Sequence, residues 1–105
     1  MTGKRAPADD AKRVAALDIG TNSIRLIVAE ASRDASYRVI DDEKIIARLG
    51  AGLASTGRLD SDRVRFAAEA IDRLRDIAQG YGVSRLRADA TAAVREASNG
   101  DELVD

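Results

Sequence analysis

Cysteine, histidine and tryptophan are absent from this chain, and proline occurs once, at Pro7. Without Cys or His there is no disulfide framework, no Cys/His zinc site, and no thiolate or imidazole to act as nucleophile or base. Any chemistry falls to Asp, Glu, Ser, Thr and Arg. Aromatics are only 3% of the residues, so a core must be built from Ala, Val, Leu and Ile, whose close packing suits helices laid on a sheet. A net charge of -1 gives no broad field to attract nucleic acid, and no basic run supplies a local one, so no nucleic-acid partner is expected. No apolar run approaches the length of a membrane span, and residues 1–12 lack the apolar stretch of a secretory signal. The expectation is a cytoplasmic protein with no membrane partner and a flexible tail over residues 1–12.

What is present fits one domain: 105 residues, 45% of them hydrophobic, can bury a core of ordinary size. Residues 14–19 form an apolar run without strong alternation, which predicts a strand in mid-sheet covered on both faces. Residues 24–30, with Ile24, Leu26, Ile27 and Val28, predict a second strand that pairs back antiparallel as a hairpin. Residues 37–49 place two β-rich patches around Asp41-Asp42-Glu43, giving a bent third strand or two short ones. Gly50, Gly52 and Gly57 mark a loop. A helix follows, capped by Asp60 or Ser61, with Val64, Ala67, Ala68, Ile71, Leu74, Ala78 and Tyr81 on one stripe and Gly80 and Gly82 to stop it. Residues 83–90 predict a fourth strand that joins the sheet in parallel because it follows a helix, and residues 92–97 a short helix broken by Asn99-Gly100.

The chemistry concentrates between the first two strands, in Asp18-Ile19-Gly20-Thr21-Asn22-Ser23. Two readings of this turn compete. A tight hairpin uses such residues for positive φ and local side-chain hydrogen bonds. A phosphate cup uses Gly20 for close backbone approach, and the backbone N–H groups and side chains of Thr21, Asn22 and Ser23 as donors to phosphate oxygens. Asp18 at the strand end repels a bare phosphate but can hold a hydrated divalent cation that bridges to one, which makes it the metal candidate. Arg25, two residues past the turn, either reaches phosphate or caps an acidic neighbour on the outer face.

The order strand, strand, strand, helix, strand, helix resembles the opening of a ribonuclease-H-like half domain, the unit duplicated in actin-like ATPases and sugar kinases. The turn at residues 18–23 resembles the first phosphate loop of that superfamily. The expected fold class is therefore α/β, with a mixed sheet whose strands 1–3 are antiparallel, a crossover helix and a parallel strand 4. Ala90-Thr91-Ala92-Ala93-Val94-Arg95-Glu96-Ala97-Ser98-Asn99-Gly100 closely resembles the "ATSAVREAxNG" signature of the exopolyphosphatase and guanosine pentaphosphate phosphohydrolase family. Arg48-Leu49-Gly50-Ala51-Gly52-Leu53, with Thr56-Gly57-Arg58-Leu59, resembles that family's "RLGxGL...TGxL" segment.

This resemblance implies a homodimeric enzyme with a two-domain actin-like core and Mg2+. Such an enzyme hydrolyses terminal phosphates from inorganic polyphosphate, or the 5' phosphate of guanosine pentaphosphate. Thr91 and Arg95 match family positions near the phosphates. Arg95 is the implied catalytic residue, able to pair with two phosphoryl oxygens as charge builds in the transition state; a surface ion pair is the plainer alternative. For Thr91 the alternative is an ordinary helix cap. Two positions depart from the pattern: Asp89 replaces an apolar residue late in strand four, and Ala92 replaces a serine and removes a donor. The family's metal-binding acids and water-activating glutamate come from a downstream segment, so residues 13–105 read as a partial amino-terminal lobe, truncated at its C-terminus and inactive or nearly so alone. Glu96, Asp101 and Glu102 read as helix-start and surface acids, not bases. The same turn also suits an actin-like sugar kinase or ATPase, or a non-catalytic sensor of a phosphorylated nucleotide; the Asn22-Ser23 pair and residues 91–100 favour the phosphohydrolase.

Overall fold

The computed structural model of the chain describes residues 12–97. Four strands form a single sheet in the order β3-β2-β1-β4, with β1 at Lys12–Ile19, β2 at Ser23–Ala31, β3 at Tyr37–Ile46 and β4 at Arg85–Ala90. β1 pairs antiparallel with β2 and parallel with β4, and β2 pairs antiparallel with β3. This is the mixed topology expected from the order of elements. Among the described residues three helices complete it: α1 at Leu53–Thr56, α2 at Ser61–Gly80 and α3 at Ala92–Glu96. No helix among the described residues is long and apolar enough to cross a membrane. Residues 1–11 of the expected tail, and residues 98–105, lie outside the described residues, and Lys12 already belongs to β1.

The sheet buries one face. Ala15, Leu17 and Ile19 of β1, Ile24, Leu26 and Val28 of β2, and Ala90 of β4 all join the core, the first six at alternate positions as strand geometry requires. α2 lays Val64, Ala67, Ala70, Ile71, Leu74 and Ala78 across them. Val94 of α3, together with Ala47, Leu49 and Leu59 from the connections, closes the ends. The expectation that β1 is covered on both faces fails: Ala16 and Asp18 are exposed among the described residues. β1 lies in mid-sheet, but its period-2 burial shows one covered face, which its small Ala residues hid from a reading based on hydrophobicity alone.

α2 follows the expected stripe except that Ala68 is exposed, Ala70 is buried, and Tyr81 lies half-buried just past the helix end. Asp60 is the cap, its carboxylate accepting from the Arg63 N–H at 3.2 Å. The chain leaves the helix through Gly82, whose φ of 71° lies in the left-handed region that Gly enters most cheaply. The loop expected at residues 50–57 contains the short α1. β3 carries a bulge opposite Val28 and Ala29 and ends at Ile46, earlier than the expected residue 49. Strand four begins at Arg85 rather than residue 83, and of its residues only Ala90 is fully buried.

The helix end is tied to the sheet by a polar staple. The Arg13 guanidinium donates to the Tyr81 carbonyl at 3.0 Å, lies over the Tyr81 ring and pairs with Glu30 at 3.1 Å. Arg38 joins Glu30 from β3, and the two guanidiniums hold the Glu30 carboxyl below its usual value. At the β2–β3 hairpin the hydroxyls of Ser32 and Ser36 and the Ser36 N–H all donate to Asp34, whose pKa falls to about 2.

Two outcomes follow. Leu74, 1% exposed, anchors α2 on the sheet, and Leu74→Ala should cost about 2–5 kcal/mol in urea unfolding. Because folding lowers the Asp34 pKa from 3.8 to about 2, its ionised form supports the hairpin above the higher value and that support is lost as pH falls through the lower one. A carboxyl NMR titration should therefore give a midpoint for Asp34 near 2, restored toward 3.8 in a Ser32→Ala, Ser36→Ala variant.

Candidate phosphate-binding site

The β1–β2 connection consists of Gly20, Thr21 and Asn22. The Gly20 N–H donates to the Ser23 carbonyl at 2.9 Å, closing the turn on itself. Gly20 does not adopt positive φ. Its requirement is room: a Cβ there would stand 3.2 Å from the Ser23 carbonyl oxygen and 3.9 Å from the Thr91 methyl. The hairpin reading based on left-handed φ does not hold at this position.

Two of the turn's three carbonyls are already engaged. Asn22 accepts from the N–H groups of Ala47 and Arg48, each at 2.9 Å, and Thr21 accepts from Gly50 at 2.7 Å. On the other side Ile19 accepts from the Thr91 N–H at 3.0 Å. With those acceptors used, most of what the turn presents is donors. The N–H groups of Thr21 and Asn22, the hydroxyls of Thr21, Ser23 and Thr91, and the Asn22 amide make no hydrogen bond among the described residues. A concentration of unpaired donors suits a multiply charged anion.

The structure brings Thr91 to the turn, from the end of the parallel neighbour β4. Asp18 pairs in register with Asp89, and Ile19 with Ala90, so the chain after β4 emerges beside Gly20. Thr91 precedes α3 with extended φ and ψ of -64° and 159°, but its side chain makes no capping bond, so an ordinary cap does not account for it. Thr91 and Asn22 are exposed; Gly20, Thr21 and Ser23 are half-buried.

Charges line one row of the open face. Asp89, Asp18, Arg25 and Lys44 stand in register on β4, β1, β2 and β3. Arg25 is committed to Asp42 on β3 by two bonds of 2.9 and 2.6 Å, which hold the Asp42 carboxyl below and the Arg25 guanidinium above their usual values. Of the two roles open to it, Arg25 occupies that of partner to an outer-face acid. Arg95 sits 3.6 Å from Asp89, both well exposed, while its backbone N–H donates to the Thr91 carbonyl at 3.0 Å. Asp89, the charge that departs from the family pattern, faces solvent and holds that arginine. Exposed pairs of this kind are weak, about 0–1 kcal/mol, and an arriving phosphate can displace them.

For a divalent cation, Asp18 is an exposed strand-end carboxylate with Asp89 beside it in register. No group of three potential metal-ligating side chains exists among the described residues. One or two carboxylates with the remaining positions left to water and phosphate oxygens is the donor set Mg2+ accepts, so the residues fit that ion.

The buttress formed by Ala47, Arg48 and Gly50 was missed by the sequence reading, which took residues 47–49 as the end of the third strand and Gly50 as the start of a loop. Its signal was present in Gly50: a Cβ there would lie 3.2 Å from the Thr21 Cβ and 3.5 Å from its carbonyl oxygen. Gly50→Ala should cost about 1–3 kcal/mol in urea unfolding and shift the amide resonances of Thr21 and Asn22, because the Thr21 Cβ it meets is fixed to a hydrogen-bonded backbone with little freedom to give way.

The sequence and fold are shared with known proteins. A model of the Ppx/GppA phosphatase family matches residues 26–105. The chain is 39% identical over 99 residues to Exopolyphosphatase 2 of Mycobacterium tuberculosis, covering 85% of this chain and 29% of that protein. It is 30% identical over 92 residues to Exopolyphosphatase 1 of Mycobacterium bovis, covering 88% and 27%. Among solved structures, the Ppx/GppA family member of Aquifex aeolicus superposes with a TM-score of 0.84 at 33% identity, over 89% of this chain and 30% of that one. An exopolyphosphatase from Cytophaga hutchinsonii gives 0.82 at 28%, over 90% and 30%. The chain thus spans under a third of the length of the relatives it matches.

Proposed function

Because the chain belongs to the Ppx/GppA phosphatase family and carries its actin-like fold, we propose that the turn at Gly20 and the strand end at Thr91 form the phosphate-binding corner of a polyphosphate phosphohydrolase. The observation that carries this reading is the junction of the two corners. The Thr91 N–H is bonded to the Ile19 carbonyl, its methyl lies against Gly20, and the surrounding donors are unpaired.

The roles follow from the chemistry of each group. Gly20 admits the close turn; Thr21, Asn22, Ser23 and Thr91 donate to phosphate oxygens and fix the terminal phosphate in position. Arg95 exchanges Asp89 for the phosphate and neutralises charge that builds on it during cleavage. Arg25, once released from Asp42, serves a second phosphate along the chain. Asp18, with Asp89 beside it, would hold Mg2+, which when bound supplies charge neutralisation between neighbouring phosphates. Inorganic polyphosphate and guanosine pentaphosphate share the terminal phosphate that this corner recognises, and both are proposed substrates of the complete enzyme, acting as a homodimer.

No carboxylate within residues 12–97 is assigned as the base that activates water. The present chain is therefore expected to bind polyphosphate without releasing phosphate, since in-line attack needs a positioned nucleophile as well as charge neutralisation. Calorimetric titration with sodium tripolyphosphate and Mg2+ should show binding that Arg95→Gln weakens roughly tenfold. A molybdate phosphate assay on the same samples should remain at background. Absence of binding at millimolar ligand would remove the reading, and phosphate release would move the base into this chain.

A further inference from the structure

We propose that Arg48 is an additional phosphate-binding residue, a cation held at the rim of the Gly20–Ser23 turn by a backbone conformation that an arginine adopts only at a cost. The inference rests on the phosphate reading of that turn. Two non-glycine residues among those described have positive φ, Ala35 at 70° and Arg48 at 53°. Ala35 lies at the tip of an exposed hairpin, where its N–H donates to the Ser32 carbonyl at 3.0 Å and the local turn accounts for it. Arg48 lies in the connection that leaves β3 and is bonded directly to the donor-rich turn.

The cost has an identifiable structural cause. Ala47 and Arg48 must present consecutive N–H groups to one acceptor, the Asn22 carbonyl, at 2.9 Å each, and two residues later Gly50 must reach Thr21 at 2.7 Å. The left-handed step at Arg48 turns the backbone between these bonds. The backbone alone would be better served by Gly or Asn, which enter this region readily. A strained residue beside a ligand-binding turn points to a use for its side chain.

That side chain is available. Arg48 is exposed, and its guanidinium makes no hydrogen bond or ion pair among the described residues, whereas Arg25 is paired with Asp42 and Arg95 with Asp89. The turn is thus flanked on both sides. Thr91 brings Arg95 to the β4 side through its carbonyl, and the Asn22 carbonyl anchors Arg48 on the β3 side. A terminal phosphate in the donors of Thr21 and Asn22 leaves the following phosphates of an extended polyanion within the field of Arg48. An unpaired guanidinium can bind them without first giving up a carboxylate. The chemistry recognised is a chain of linked phosphates rather than one phosphate.

Substitution separates the backbone role from the ligand role because they move in opposite directions. Arg48→Asn keeps the left-handed step and removes the charge; Arg48→Lys keeps the charge and the strain. In calorimetry with sodium tripolyphosphate, Arg48→Asn should bind roughly tenfold more weakly than the unaltered chain, with a Tm unchanged or a few degrees higher, and Arg48→Lys should retain most of the affinity. Inorganic orthophosphate, which does not extend beyond the turn, should bind both variants alike. Equal tripolyphosphate affinity in all three proteins would overturn the role of Arg48 while leaving the phosphate corner standing. A fall in Tm with Arg48→Asn would show that the arginine serves the fold. Failure of the unaltered, folded chain to bind tripolyphosphate would remove the corner itself, and the inference with it.

Discussion

The site depends on a set of backbone hydrogen bonds that occupy carbonyls in and beside a three-residue turn. Ala47, Arg48 and Gly50 from one side, Thr91 from another and Gly20 from within take up the oxygens of Ile19, Thr21, Asn22 and Ser23. A turn of this composition left free would fold its side chains back on its own carbonyls. Here those acceptors are spent, and the N–H groups, hydroxyls and amide are presented together as donors. Electrostatic preorganisation of this kind lowers the cost of receiving a multiply charged anion, because the dipoles are held in place before it arrives.

That arrangement reflects the fold as a whole. β1 carries the acid and the start of the turn, β2 returns from it, β3 ends where its exit can buttress it, and β4 runs parallel to β1 so that its C-terminal end arrives at the same corner. α2 is what permits the last step: it spans the covered face and returns the chain to the opposite end of the sheet, where β4 must start to be parallel. Its buried stripe, centred on Leu74 and Ala67, therefore supports function from a distance. The open face carries the ionic row, where Arg25 is held by Asp42 and Arg95 lies 3.6 Å from Asp89.

Much of this was legible in the residues. Alternating and periodic apolar positions located the strands and the long helix, Asp60 and Gly82 marked its ends, and the order of elements implied the antiparallel and parallel pairings. The turn's small hydrogen-bonding residues were visible too, although the same residues also suit a tight hairpin. Where the reading failed, a physical reason is available. β1 was taken as covered on both faces because Ala is equally at home exposed or buried. The exact boundaries of β3 and β4 depend on bulges and pairing partners that composition does not report. Ala70 and Ala68 differ by half a turn of helix and not at all in hydrophobicity.

The sequence by itself determined the order of elements through periodicity and turn residues, and the family and fold class through the resemblance of its short motifs, since these are carried by neighbouring residues. Only the tertiary structure decided which donors are free and which charges are spoken for. That Arg25 is engaged by Asp42, that Asp89 holds Arg95, and that Arg48 supports the turn through its backbone while its guanidinium is unpaired are contacts between strands and loops distant in the chain. Local sequence does not encode them, because each is fixed by register, and register is set by the packing of the whole sheet on α2.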